Sequence, residues 1–157
     1  MEPKIIDLSE TKLVGMHQPT SLANDQTRVL WQQFMPRRQE VQGRVGEHFY
    51  SMNIYATGFQ MKDFTPQTEF EKWAAVAVID FDNLPQGMET ITVEGKYAVF
   101  HHKGPANTFP QTLQYIHGVW LPGSEFQLDD RPHFEILGVD YVPTDPNAEE
   151  DVYIPIR

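Results

Sequence analysis

The sequence holds no cysteine. Disulfides, thiolate metal sites and cysteine nucleophiles are therefore excluded. No apolar run approaches the ~20 residues that a membrane-spanning helix needs. The opening, MEPKIIDLSE, has no basic stretch followed by an apolar one, the pattern of a secretory signal. These absences lead us to expect a cytoplasmic protein without a membrane partner. Basic residues are scarce: 12 Lys and Arg stand against 22 Asp and Glu, a formal net charge of −10. An acidic chain repels phosphate backbones, so direct nucleic-acid binding is not expected. The same field attracts cations. The charges are dispersed, so no acidic tail is present.

What is present is material for a core. Of 157 residues, 40% are hydrophobic and 12% aromatic. That suits one domain spanning 1–157. The chain also contains an offset echo of itself. Shifted by 84 positions, SETKLVGMHQ falls on VEGKYAVFHH, with Glu10 on Glu94, Lys12 on Lys96 and His17 on His101. At the same shift HFYSMNIY falls on PHFEILGV, which sets Ser51 on Glu135. Two segments that keep one offset indicate a duplication, with repeats over about 1–82 and 88–157.

Each half reads alike. The first opens on a predicted hairpin, KIIDLSETKLVGMH, with its turn near Ser9 to Thr11. A helix from about Asn24 to Met35 follows, with Leu30, Trp31, Phe34 and Met35 on one stripe and Pro36 as its stop. Two strands, FYSMNIYA and KWAAVAVIDF, complete it. The second half opens on METITVEGKYAVFHH, with a turn at Glu94-Gly95. Its helix begins near Thr108 with a capping box, carries the stripe Phe109, Leu113, Ile116 and Trp120, and ends at LPG. HFEILGV and DVYIPIR finish the chain. The expected class is α+β. Duplicated strand-helix-strand-strand modules form a mostly antiparallel sheet, with helices on one face and a ligand cleft between the halves.

Period-2 alternation then assigns faces. Tyr50, Met52, Ile54, Val76, Val78, Phe134, Ile136, Val152, Ile154 and Ile156 are expected under the helices. Phe49, Ser51, Asn53, Tyr55, Trp73, Ala75, Ala77, Glu135 and Tyr153 are expected on the opposite, partly free face. Aromatic walls around one carboxylate suit an amphipathic ligand, in particular a cationic aromatic one. Burial would raise the Glu135 pKa toward the range of a general base. No metal or cofactor is expected. The six histidines form neither H-x-x-x-H nor H-E-x-x-H, DPNAEE lacks an EF-hand glycine, and no phosphate-binding glycine loop occurs.

YAVFHHKGP, the helix ending in WLPGSEFQLDDRPHFE, and the terminal VYIPIR together resemble the GyrI-like effector-binding domain. That domain occurs at the C-termini of AraC- and MerR-type bacterial transcription activators and also alone. The resemblance implies two modules about a pseudo-twofold with a ligand cleft between them. It implies that Glu135 contacts ligand at the cleft floor and that Tyr153 and Trp120 line it. No helix-turn-helix module is visible, so a standalone small-molecule binder is the expected function. The resemblance implies two alternatives. One is hydrolysis of strained cyclopropane-type electrophiles by Glu135, with Tyr153 as acid. The other is inhibition of a protein partner, as by the DNA gyrase inhibitor.

Overall fold

A computed structural model describes every residue, Met1–Arg157. Six strands form one antiparallel sheet: β1 (Lys4–Thr20), β2 (Phe49–Ile54), β3 (Phe70–Val78), β4 (Glu89–Lys103), β5 (His133–Leu137) and β6 (Glu149–Pro155). The sheet closes on itself in the order β1-β3-β2-β5-β6-β4. Exchanging β1 with β4, β2 with β5 and β3 with β6 leaves that order unchanged. The fold is α+β, with helix α1 (Thr27–Phe34) in the first module and α2 (Phe109–Tyr115) in the second. No helix is long and apolar enough to cross a membrane.

The two predicted hairpins do not form. β1 and β4 each run through as one long strand and pair with each other. The residues read as turns occupy a bulge instead, with Ser9 and Glu10 facing the single Glu94 between the pairs Leu8–Gly95 and Thr11–Val93. Turns and bulges draw on the same residues, because both need a local left-handed or kinked backbone. Gly95 has φ +106, and a β-carbon there would lie 2.8 Å from Arg131 Nη1. Arg131 fixes this junction. Its guanidinium donates to Glu94 O (2.8 Å), Lys96 O (2.6 Å) and Ile156 O (3.0 Å).

The helices follow expectation in part. The first α-helix ends at Phe34, two residues before Pro36, as expected. The chain tightens into a 3₁₀ segment over Met35–Glu40, a geometry that tolerates proline near its start. Thr108 makes no capping box; its hydroxyl donates to Pro105 O at 2.7 Å. α2 then widens, and Leu121 N–H donates to Ile116 O across five residues.

Three apolar cores result. One lies under α1 and includes Leu30, Phe34, Phe49, Val76 and Val78. Another lies under α2 and includes Phe100, Ile116, Val152 and Ile154. The third fills the far side of the sheet, with Leu13, Met52, Trp73, Tyr97 and Phe134. The face away from the helices is thus not the free one. It is packed because the sheet curls around its own side chains.

Candidate ligand recess between the two modules

Neighbouring paired residues point to the same side of a sheet. The row Ala74, Ser51, Glu135, Val152 crosses β3, β2, β5 and β6. Ala74 belongs to the α1 core and Val152 to the α2 core. Ser51 and Glu135 therefore face the helix side, at the seam between the two cores. This corrects the expected face for β2 and β5. Tyr50, Met52, Ile54, Phe134 and Ile136 pack into the far-side core or against it, and the polar set Ser51, Asn53 and Glu135 faces the helices. The assignments for β3 and β6 hold.

The predicted site residues consequently divide. Glu135, Ser51, Asn53, Tyr55 and Phe49 come together on the helix side. Phe49 pairs with Leu137, Ser51 with Glu135 and Asn53 with His133. The Asn53 amide donates to the Tyr55 hydroxyl at 3.2 Å, and Tyr55 meets the His133 ring edge-on at 5.0 Å. Trp73 and Tyr153 lie on the opposite face. Tyr153 stacks on Phe134 with centroids 4.5 Å apart, and Trp73 stacks on His17 at 4.3 Å. Trp120 lies in the α2 core, edge-on to Phe100 at 5.1 Å.

Three groups not anticipated at the site complete it: Lys72, Glu150 and Tyr141. Lys72 is buried on β3, and its ammonium donates to Asn53 Oδ1 at 2.8 Å. Glu150 is buried on β6. Alternation carried two residues beyond Ala74 and Val152 reaches both. Tyr141 comes from the loop after β5, which no periodicity describes.

The electrostatics follow from this company. Burial pushes the Glu135 carboxyl above its ordinary value, opposed by the Lys72 charge, its own backbone N–H and the Ser51 hydroxyl. Glu135 as a whole residue is half-buried, with its carboxyl turned into the seam. Burial, with the Glu135 charge, pushes Glu150 up to about 7, against the Tyr141 phenol and Lys72. Burial pushes Tyr55 and Tyr141 up to about 12, with the nearby carboxylates adding to it. Burial lowers His133 to about 3 and His117, on the widened turn after α2, to about 4. Both imidazoles are therefore neutral near pH 7. A cavity of about 870 Å³ lies between the 58–62 loop and the end of α2, and Glu135 does not line it.

Two small modules joined across an antiparallel sheet, with polar and aromatic groups converging at their seam, define a small-molecule-binding domain. The family model described as "GyrI-like small molecule binding domain" matches residues 1–157, and the chain belongs to that family. Among curated proteins it is 31% identical over 158 residues to the transcriptional regulator BrlR of Pseudomonas aeruginosa, covering 99% of this chain and 56% of that one. The chain thus spans about half the length of that relative. Two solved structures share the fold. SAV2435 bound to tetraphenylphosphonium superposes with a TM-score of 0.73 at 17% identity, covering 100% of this chain and 94% of that one. A hydrolase from Listeria innocua gives 0.64 at 12% identity, covering 99% and 92%.

Proposed function

We propose that the chain binds an amphipathic, cationic aromatic small molecule at the seam, with Glu135 as the anionic contact. One observation carries this reading. A carboxylate that burial disfavours is held at the seam between two apolar cores, with Phe49 on the neighbouring strand β2 and Tyr55 just past its end. A cation on such a carboxylate replaces lost hydration, and flanking rings contribute cation–π attraction of about 0.5–2 kcal/mol. The acidic surface concentrates cations near the opening. That a relative of the same fold is bound to tetraphenylphosphonium supports this choice of ligand class. Trp73 and Tyr153 have no part in it, because they pack on the opposite face of the sheet, while Trp120 is engaged with Phe100 and Phe126 in the α2 core.

Titration calorimetry with tetraphenylphosphonium tests the proposal. Wild type should bind, and Glu135→Gln should weaken binding at least about tenfold, a change of 1.4 kcal/mol. Equal affinity in the two proteins would remove Glu135 from the site.

A hydrolytic reading has one observation in its favour: Glu150 beside Glu135 gives two carboxyls in one recess, one of them pushed up to about 7. Such a group suits general acid–base work. Tyr153 cannot be its acid, since its ring faces the other side of the sheet. Consumption of a cyclopropane-type electrophile that is lost in both Glu135→Gln and Glu150→Gln would establish this reading. Its absence in wild type would leave binding alone.

A further inference from the structure

We infer that Glu150 is a second anionic arm of the recess and Lys72 its resident counter-ion, so that a cationic ligand enters in exchange for one proton from the Glu135–Glu150 pair. The inference rests on the binding reading above and names what regulates that site.

The geometry sets the exchange. Glu135 pairs with Val152 and Glu150 with Leu137, so the two carboxylates are diagonal neighbours on one face of β5 and β6. Diagonal neighbours are about 7–8 Å apart at the backbone, within reach of long side chains. Lys72 reaches the same recess from β3, held through Asn53 on the strand between. With all three ionised, the empty recess carries one uncompensated negative charge out of bulk water. One proton on the carboxylate pair makes it neutral, and such a pair titrates as a unit. Entry of a monocation with loss of that proton again leaves two positive and two negative charges. The recess is thus balanced both empty and filled, and the proton is the currency of the exchange.

No other group facing the pair titrates in the same range. From β4, His102 is paired with Glu150 in register, but its ring is held by Thr112 at 2.7 Å, and burial lowers its pKa. From β5 and the turn after α2, His133 and His117 are held neutral by burial, at about 3 and 4. From β2 and the loop after β5, Tyr55 and Tyr141 are pushed up to about 12 and stay protonated. Ser51 and Asn53 do not ionise. His17 and His101 carry raised pKa values, but they belong to carboxylate pairs away from the recess.

Tetraphenylphosphonium is a permanent cation, so any pH dependence of its binding belongs to the protein. Calorimetry near pH 6 in buffers of different ionisation enthalpy counts the protons released. Wild type should release about one per ligand, and its association constant should rise by up to about tenfold per pH unit below neutrality. Glu150→Gln should still bind while releasing almost none. Lys72→Gln removes the charge that favours an ionised carboxylate, so the empty pair should hold a further proton and binding near pH 6 should still release about one. Wild-type binding with no proton release, or release unchanged in Glu150→Gln, would overturn the inference and leave the binding reading standing. Failure of wild type to bind the cation at any pH would overturn the binding reading itself.

Discussion

Ser51 on β2 lies directly opposite Glu135 on β5, and the two are the residues related by the 84-position offset. The seam between the modules is therefore a place where the repeat meets itself. A hydroxyl occupies it from one side and a carboxylate from the other. Exact symmetry would have placed two serines or two carboxylates there, and two facing carboxylates would repel. The asymmetry supplies one acid and one hydrogen-bond donor.

Glu135→Gln should therefore preserve the fold and keep or raise its thermal stability. The carboxyl is held above its ordinary pKa by burial, which means that its charge is disfavoured in the folded state. A neutral amide of the same shape removes that cost. Calorimetric unfolding at neutral pH measures it, and a clear fall in midpoint would mean that the carboxylate is a structural anchor.

Stability should also carry the mark of Glu150. Its pKa rises from 4.5 to about 7 on folding, so the folded state binds the proton more tightly than the unfolded chain. This contribution is fully present below about pH 4.5 and is lost as pH rises toward 7. The stability of wild type relative to Glu150→Gln should decline across that window and level off above it. A constant difference across the window would contradict the burial of this group.

His117 carries the opposite sign. Both ring nitrogens are buried without a partner, and its pKa falls to about 4. Its protonation favours the unfolded chain, so it erodes stability as pH drops from 6.5 toward 4. Replacing an unsatisfied buried polar side chain with an apolar one removes a penalty of about 1–3 kcal/mol. His117→Leu should raise the unfolding midpoint and flatten its acid limb. A lower midpoint would show that the imidazole has a partner in solution.

Gly15 tests the packing of the sheet. A β-carbon there would fall 2.1 Å from Ala74 O and 2.7 Å from Ala75 Cβ, so β1 or β3 would have to move. Gly15→Ala should destabilise by about 1–3 kcal/mol, as overpacking does. An unchanged denaturant midpoint would mean that the two strands have slack.

Much of this architecture was legible in the residues. The duplication, the class and the helix stripes follow from offset identities and apolar spacing. Alternation also placed Val76, Val78, Val152 and Ile154 correctly, because those positions are apolar and lie under helices. It failed for β2 and β5 for a physical reason. Alternation separates a packed face from a wet one, but over β2, β3, β5 and β6 this sheet is packed on both. Tyr50, Met52 and Phe134 are as apolar as any helix-facing set, yet they fill the inside of the curl. The polar set Ser51, Asn53 and Glu135 marks the seam, not an open surface. Lys72 and Glu150 were within reach of the same pattern, two residues beyond well-placed apolar neighbours. Tyr141 was not, since its position depends on how the loop after β5 folds back.

The most direct test is a crystal structure with tetraphenylphosphonium bound. The phosphorus should lie on the helix-bearing side of the sheet, within about 6 Å of the Glu135 carboxylate. Glu150 should line the same site, and Tyr153 should remain stacked on Phe134 behind the strand. A cation found instead among Trp73, Tyr50 and Tyr153, or in the 870 Å³ cavity beside the end of α2, would contradict the account.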